Sequence, residues 1–110
     1  MPKYVIERKV PGVGLSTQDQ IQKMAQISND ALRKLGGEVH WIESFFTDDA
    51  IFCIYVAPNE ELVRKHAQLA GFPADRIIKV DTVVDPATGD LPIASRVAAK
   101  EQMLDKSMRQ

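Results

Sequence analysis

The sequence predicts an α+β domain in which two helices cover one face of a four-stranded antiparallel sheet. Four short runs alternate apolar and polar residues with period two, while two longer runs repeat apolar residues at helical spacing. Their order along the chain is β-α-β-β-α-β with short connections, which places both helices as crossovers on one side of one sheet. With 110 residues, 45% of them apolar and 26% charged, the chain suits one domain with a single core and lies far from the composition of disorder.

The first strand is KYVIERKV at residues 3–10, with Tyr4, Ile6 and Val10 on one face and Val5, Glu7 and Lys9 on the other; Pro11-Gly12 ends it. Thr17 and Gln20 have the spacing of a capping box. It opens a helix whose apolar stripe runs Ile21, Met24, Ala25, Ser28, Ala31, Leu32, Leu35 and whose end is set by Gly36-Gly37. A hairpin follows, with strands at residues 38–46 and 50–57 turning at Thr47-Asp48-Asp49, because β-branched and aromatic residues flank a pair of turn-tolerant aspartates. Asn59 caps a second helix from Glu60 to Ala70, whose first turn carries Glu60 and Glu61 where the helix dipole favours acids. Gly71-Phe72-Pro73 stops that helix, and a last strand is expected from Arg76 to Val84. Residues 1–85 thus form the domain, in the split βαβ plan known as ferredoxin-like. Residues 86–110 form a loop and a tail in which Ile93, Val97, Ala98, Met103 and Leu104 give an irregular helical pattern. The fold name describes a shape only, since one cysteine cannot hold an iron–sulfur cluster.

Charge excludes several classes of function. Lys and Arg total 14 against 15 Asp and Glu, and the basic residues are dispersed, so no field favours nucleic acid or an acidic membrane. No apolar run approaches the ~20 residues of a membrane span, and the first ten residues read as a strand rather than a secretory signal, so a cytoplasmic location is expected. A nucleotide phosphate loop is absent, because PGVGLS at residues 11–16 lacks both the lysine and the glycine spacing.

The residues able to do chemistry concentrate in HWIESFFTDDAIFCIY at 40–55 and in the second helix. His66 lies on the stripe facing the sheet, where an imidazole serves either as a satisfied core residue or as a metal ligand or base. Cys53 alternates with Ile51 and Tyr55, and in that pattern a thiol is ordinarily a small buried hydrophobe. Should Glu7 share its face, Glu7, Cys53 and His66 would meet between the sheet and the second helix; Arg8 points to the face opposite Glu7. Strict alternation puts His40, Ile42, Ser44 and Phe46 on one face of their strand and Trp41, Glu43 and Phe45 on the other. No H-x-x-x-H or C-x-x-C spacing is present, so a metal site would have to be assembled from separate elements.

Two segments taken together carry a resemblance to a known family. YVIERKVPG at residues 4–12, and VHWIESFFTDDAIFCIYVAPNEELVRKHAQLAGFPADRI at residues 39–77, resemble a small bacterial family of ferredoxin-like domains of unknown function that includes a nickel-binding protein. The resemblance spans about the first 85 residues and rests on the E-R pair of the first strand, the C-I-Y-x-A-P exit from the third and V-R-x-H-A in the second helix. It implies a small dimeric protein and, for part of the family, Ni²⁺ or another divalent transition metal. On this chain the matching polar positions are Glu7, His40, Cys53 and His66 as metal ligands, with Ser44 and Tyr55 lining a ligand pocket. Imidazole, thiolate and carboxylate are donors compatible with such a metal.

Three functions remain open at the level of sequence. The first is metal or small-ligand binding without turnover. The second is a cofactor-independent oxygenase or isomerase of the dimeric α+β barrel type, and the third a plain dimerisation module. All three expect a homodimer, because four strands with apolar residues on both faces leave one face uncovered by helices.

Overall fold

The computed structural model of the chain describes residues 1–90. Strand β1 spans Lys3–Lys9, helix α1 Gln18–Lys34, strand β2 His40–Phe46, strand β3 Ala50–Val56, helix α2 Glu60–Ala70 and strand β4 Arg76–Lys79. One turn of helix, α3, follows at Pro86–Gly89. The strands form one antiparallel sheet in the order β2-β3-β1-β4, which is the ferredoxin-like α+β arrangement. The expected tail helix lies outside the described residues.

The predicted caps form as the side-chain chemistry requires. Thr17 accepts from the Gln20 amide while the Gln20 side chain accepts from the Thr17 amide, closing the capping box of α1. Asn59 accepts from the Leu62 amide at 3.0 Å, and Gly71 closes α2 with φ 75°. A cap of this kind is worth about 1 kcal/mol. The final strand is shorter than the expected Arg76–Val84, ending at Lys79. β4 pairs only with β1, from Arg76 opposite Glu7 to Lys79 opposite Tyr4, and one further bond from the Val80 amide to the Lys3 carbonyl reaches the end of β1. No strand is formed over residues 81–84, and Val83 and Val84 stand exposed.

Period-two alternation decides what each central strand buries. Tyr4, Ile6 and Arg8 of β1 and Ile51, Cys53 and Tyr55 of β3 point toward the helices and are buried; Val63, His66 and Ala67 of α2 meet them. Burying an Ile or Val side chain fully contributes roughly 1.5–3 kcal/mol, and Ile6 and Val63 are both fully buried. The opposite face carries Val5, Phe45, Phe52, Ile54 and Ile78 with no helix over it among the described residues. No described helix is long and apolar enough to cross a membrane.

The segment between β1 and α1 is clamped to the hairpin turn. The Val10 and Gly12 amides donate to Asp49, at its carbonyl and its carboxylate, and the Gly14 amide donates to the Asp48 carbonyl at 3.0 Å. At Gly14 the approach leaves no space for a side chain: a Cβ there would stand 2.8 Å from the Asp48 Cα and 2.9 Å from the Thr47 carbonyl oxygen. Both neighbours are backbone and cannot step aside. Gly14→Ala is therefore expected to lower stability by about 1–3 kcal/mol, the usual cost of overpacking. Urea denaturation checks this, and an unchanged midpoint would contradict the clamp.

Candidate functional site

Register decides which polar residues share a face. Glu7 pairs with Phe52 and Ile6 with Cys53, so Glu7 and Cys53 leave the sheet in opposite directions. Glu7 lies on the open face, where Arg76 of the adjacent strand stands 3.8 Å from its carboxylate. The meeting of Glu7, Cys53 and His66 beneath α2 therefore does not occur. Arg8 takes the helix-facing position that the sequence reading left empty.

Strand β2 breaks its own alternation. Trp41 lies opposite Tyr55 but Glu43 lies opposite Ile54, so Ile42 is an extra residue, a β-bulge, and is 53% exposed. The bulge reverses the phase of everything before it. Trp41 consequently joins Ser44 and Phe46 on the helix side, while His40 stands on the open side, opposite Val56 and exposed. This corrects the expectation from strict alternation, which separated Trp41 from Ser44 and Phe46. The indole N–H of Trp41 donates to Ser44 Oγ at 2.9 Å, so the ring is held as well as turned.

Helix α1 packs chiefly on α2 and leaves a cleft of about 450 Å³ between itself and the sheet. Ile21, Met24, Ala25 and Ser28 line it from α1, and Phe72 and Pro73 close it from beyond α2. Trp41, Ser44 and Phe46 of β2 form one wall, with Ile51, Cys53 and Tyr55 of β3 as the floor. Arg8 reaches it from β1 and is only 2% exposed. Its guanidinium donates to the Pro73 carbonyl at 2.5 Å and to the Tyr55 hydroxyl at 3.3 Å, and it lies 5.5 Å from the centre of the Phe72 ring. Burial pushes the Tyr55 hydroxyl above its ordinary value and Cys53 adds to this, while the charge of Arg8 pulls the other way.

His66 sits beside this cleft, fully buried between the two helices and the sheet. Its Nε2 lies 3.2 Å from Ser28 Oγ and 3.3 Å from the Ser28 carbonyl oxygen, and its ring is 5.1 Å from that of Tyr55. Nε2 is thus the protonated nitrogen of a neutral ring, donating to the carbonyl. Nδ1 has no hydrogen-bond partner. Burial lowers the pKa of His66 from the ordinary 6.5, the Ser28 carbonyl opposes that shift and the positive charge of Arg8 adds to it.

Of the residues singled out in the sequence, Ser44, Cys53 and Tyr55 line the cleft, His66 touches it through Tyr55, and Glu7 and His40 belong to the other face. Among the described residues no three His, Cys, Asp or Glu side chains come together so as to hold a metal ion. Among the described residues the buried layer offers a thiol and one bare imidazole nitrogen, too few donors for a divalent metal. Sequence reasoning missed Arg8 and Trp41. The signal for Arg8 was present, because period two puts it in line with Tyr4 and Ile6; nothing local announced the bulge that turns Trp41.

The sequence matches the family described as nickel responsive protein SCO4226-like over residues 4–80. The structure is similar to the crystal structure of SCO4226 from Streptomyces coelicolor A3(2), with a TM-score of 0.64 and 21% identity over 74% of this chain and 99% of that one. At that identity the likeness is one of fold. No curated protein sequence matches.

The buried imidazole makes stability depend on pH. Because the folded pKa is lowered, the unfolded chain binds the proton more readily, so the full contribution is present above about pH 6.5 and is lost as pH falls below it. The slope from one such group is at most about 1.4 kcal/mol per pH unit. Urea midpoints of wild type and His66→Gln should converge as pH is lowered from neutrality toward 5. A constant gap between the two would contradict a neutral, proton-excluding His66.

Proposed function

This chain belongs to the SCO4226-like family of nickel responsive proteins, and we propose that it is a non-catalytic binding protein whose small ligand occupies the cleft between α1 and the sheet. The cleft carries this reading. Its volume, about 450 Å³, falls in the range of small-molecule sites, and its walls are mostly hydrocarbon with a few convergent polar groups. Catalysis finds less support: the one buried imidazole has Nε2 engaged at Ser28 and does not line the cleft, so among the described residues no imidazole or carboxylate faces a bound molecule.

Trp41, the single tryptophan, lines the cleft and reports its occupancy. Titration of tag-free protein with the neutral apolar fluorophore N-phenylnaphthylamine should give saturable energy transfer from Trp41. Ala25→Phe, which fills the cleft from α1, should weaken that binding by about tenfold or more. Absence of saturable transfer, or equal affinity in the variant, rejects the cleft as the binding site.

Nickel is the second reading, favoured by the family description. Since the described residues of one chain gather too few donors, a nickel site on this reading draws them from two copies that meet through the open sheet face. The exposed His40 is the imidazole available on that face of each copy. The face itself supports pairing: Phe45 is 51% and Ile78 41% exposed, and Phe45 lies directly opposite Phe52. Light scattering should return twice the chain mass of 12.3 kDa, and Phe45→Glu should reduce it to one chain. Isothermal titration with Ni²⁺ should show binding that His40→Ala weakens. A mass of one chain for wild type, or nickel binding untouched by His40→Ala, counts against this arrangement.

A further inference from the structure

We infer that the ligand of the cleft is an organic monoanion, an apolar carboxylate whose head group pairs with Arg8 and whose body lies between Trp41, Phe46 and the α1 residues Ile21 and Met24. This rests on the cleft being the binding site. Arg8 is a buried cation for which the described residues supply no anion: no carboxylate is paired with it. The nearest acid in sequence, Glu7, is turned to the opposite face beside Arg76, and the Asp75 carboxylate accepts the Lys9 amide at the surface. Removing a guanidinium from water costs several kcal/mol, which a carbonyl and a phenol offset only in part.

The chemistry of the remaining donors selects the partner. A guanidinium has five N–H groups in a planar fork, and Arg8 directs two hydrogen bonds at protein, to Pro73 and Tyr55. Tyr55 accepts from Arg8 and also neighbours the Ser28 hydroxyl, so its own O–H can turn to Ser28 or to a ligand on the floor of the cleft. A carboxylate can take parallel bonds from the fork and a third from the phenol. A phosphate monoester is a poorer match. It would bring close to two negative charges against a single buried cation, and no lysine or histidine lines the cleft.

Displacement of N-phenylnaphthylamine from tag-free protein by octanoate, octanol and octyl phosphate tests the assignment. Octanoate should displace the probe at about tenfold lower concentration than octanol, the increment of one charge-assisted bond. Arg8→Gln should abolish that preference, bringing octanoate and octanol to equal displacing concentrations. Tyr55→Phe, which removes one hydroxyl and keeps the ring, should reduce the preference severalfold and serves where Arg8→Gln does not fold. Octanol equal to octanoate, with probe binding intact, overturns the carboxylate assignment and leaves the cleft reading standing. A stronger effect of octyl phosphate overturns it in favour of a dianion. A preference unchanged in both variants shows Arg8 to be a clip for the Phe72-Pro73 segment and no more. Failure of the probe itself to bind brings down the cleft reading first.

Discussion

Arg8 leaves a central strand toward the helices, and its guanidinium has to be satisfied in a layer made otherwise of hydrocarbon. The chain meets that requirement in part, with a backbone carbonyl, a phenol and the face of a phenyl ring. Each of these has a structural consequence. Bonding to the Pro73 carbonyl ties the end of α2 back to β1 across 65 positions of sequence, and the Phe72 ring is held over the cation. Tyr55 is in turn fixed between Arg8 and His66, which carries the constraint from the sheet into the helix layer. The cleft is the space that remains around this cation on the side where α1 does not close.

That opening has its origin in the two helices. On the sheet side α2 presents Val63, His66 and Ala67, all buried, and seals its half of the sheet. In contrast, α1 buries only Ser28 and Ala31, two small residues in its second half that allow close approach to α2. Ile21, Met24 and Ala25, in its first half, remain partly accessible because nothing fills the space below them. Two interfaces of different tightness thus come from one stripe. A close-packed interior tolerates few voids larger than a water molecule, so a space of this size beside a buried charge is more consistent with a site than with a packing defect.

His66 and Arg8 are coupled through the same ring of Tyr55. Burial keeps the imidazole neutral, and the neighbouring guanidinium reinforces this because a second positive charge in the layer would repel it. The helix side of the sheet therefore holds one fixed cation, with a neutral histidine and a neutral tyrosine arranged about it. Such a site favours a single negative charge and presents the guanidinium, hydroxyls, the Cys53 thiol and the Trp41 indole as its donors. The open face follows a different logic. Its one charge pair, Glu7 with Arg76, is partly solvated, and apolar residues surround it in a surface that no described element covers.

Local chemistry alone was enough to determine the elements of this protein. Thr17 with Gln20, Asn59, Gly71 and the Asp48-Asp49 turn act within a few residues of themselves, so the two helices, the hairpin and the β-α-β-β-α-β order were legible. The helix stripe from Ile21 to Leu35 and the buried position of His66 follow from periodicity in the same way. The site was legible only in part, through Ser44, Cys53 and Tyr55, because the rest depends on relations between strands. Whether Glu7 or Arg8 shares a face with Cys53 is set by pairing across 46 positions, and one residue of register exchanges the two. The bulge at Ile42 carries no local mark, yet it moves the only tryptophan from the open face into the cleft. The length of β4 was set by where β1 ends, since a strand extends only as far as a neighbour can accept its hydrogen bonds. Sequence determined which side chains were available; tertiary pairing decided that a buried arginine, and no cluster of metal donors, stands at the centre of the cleft.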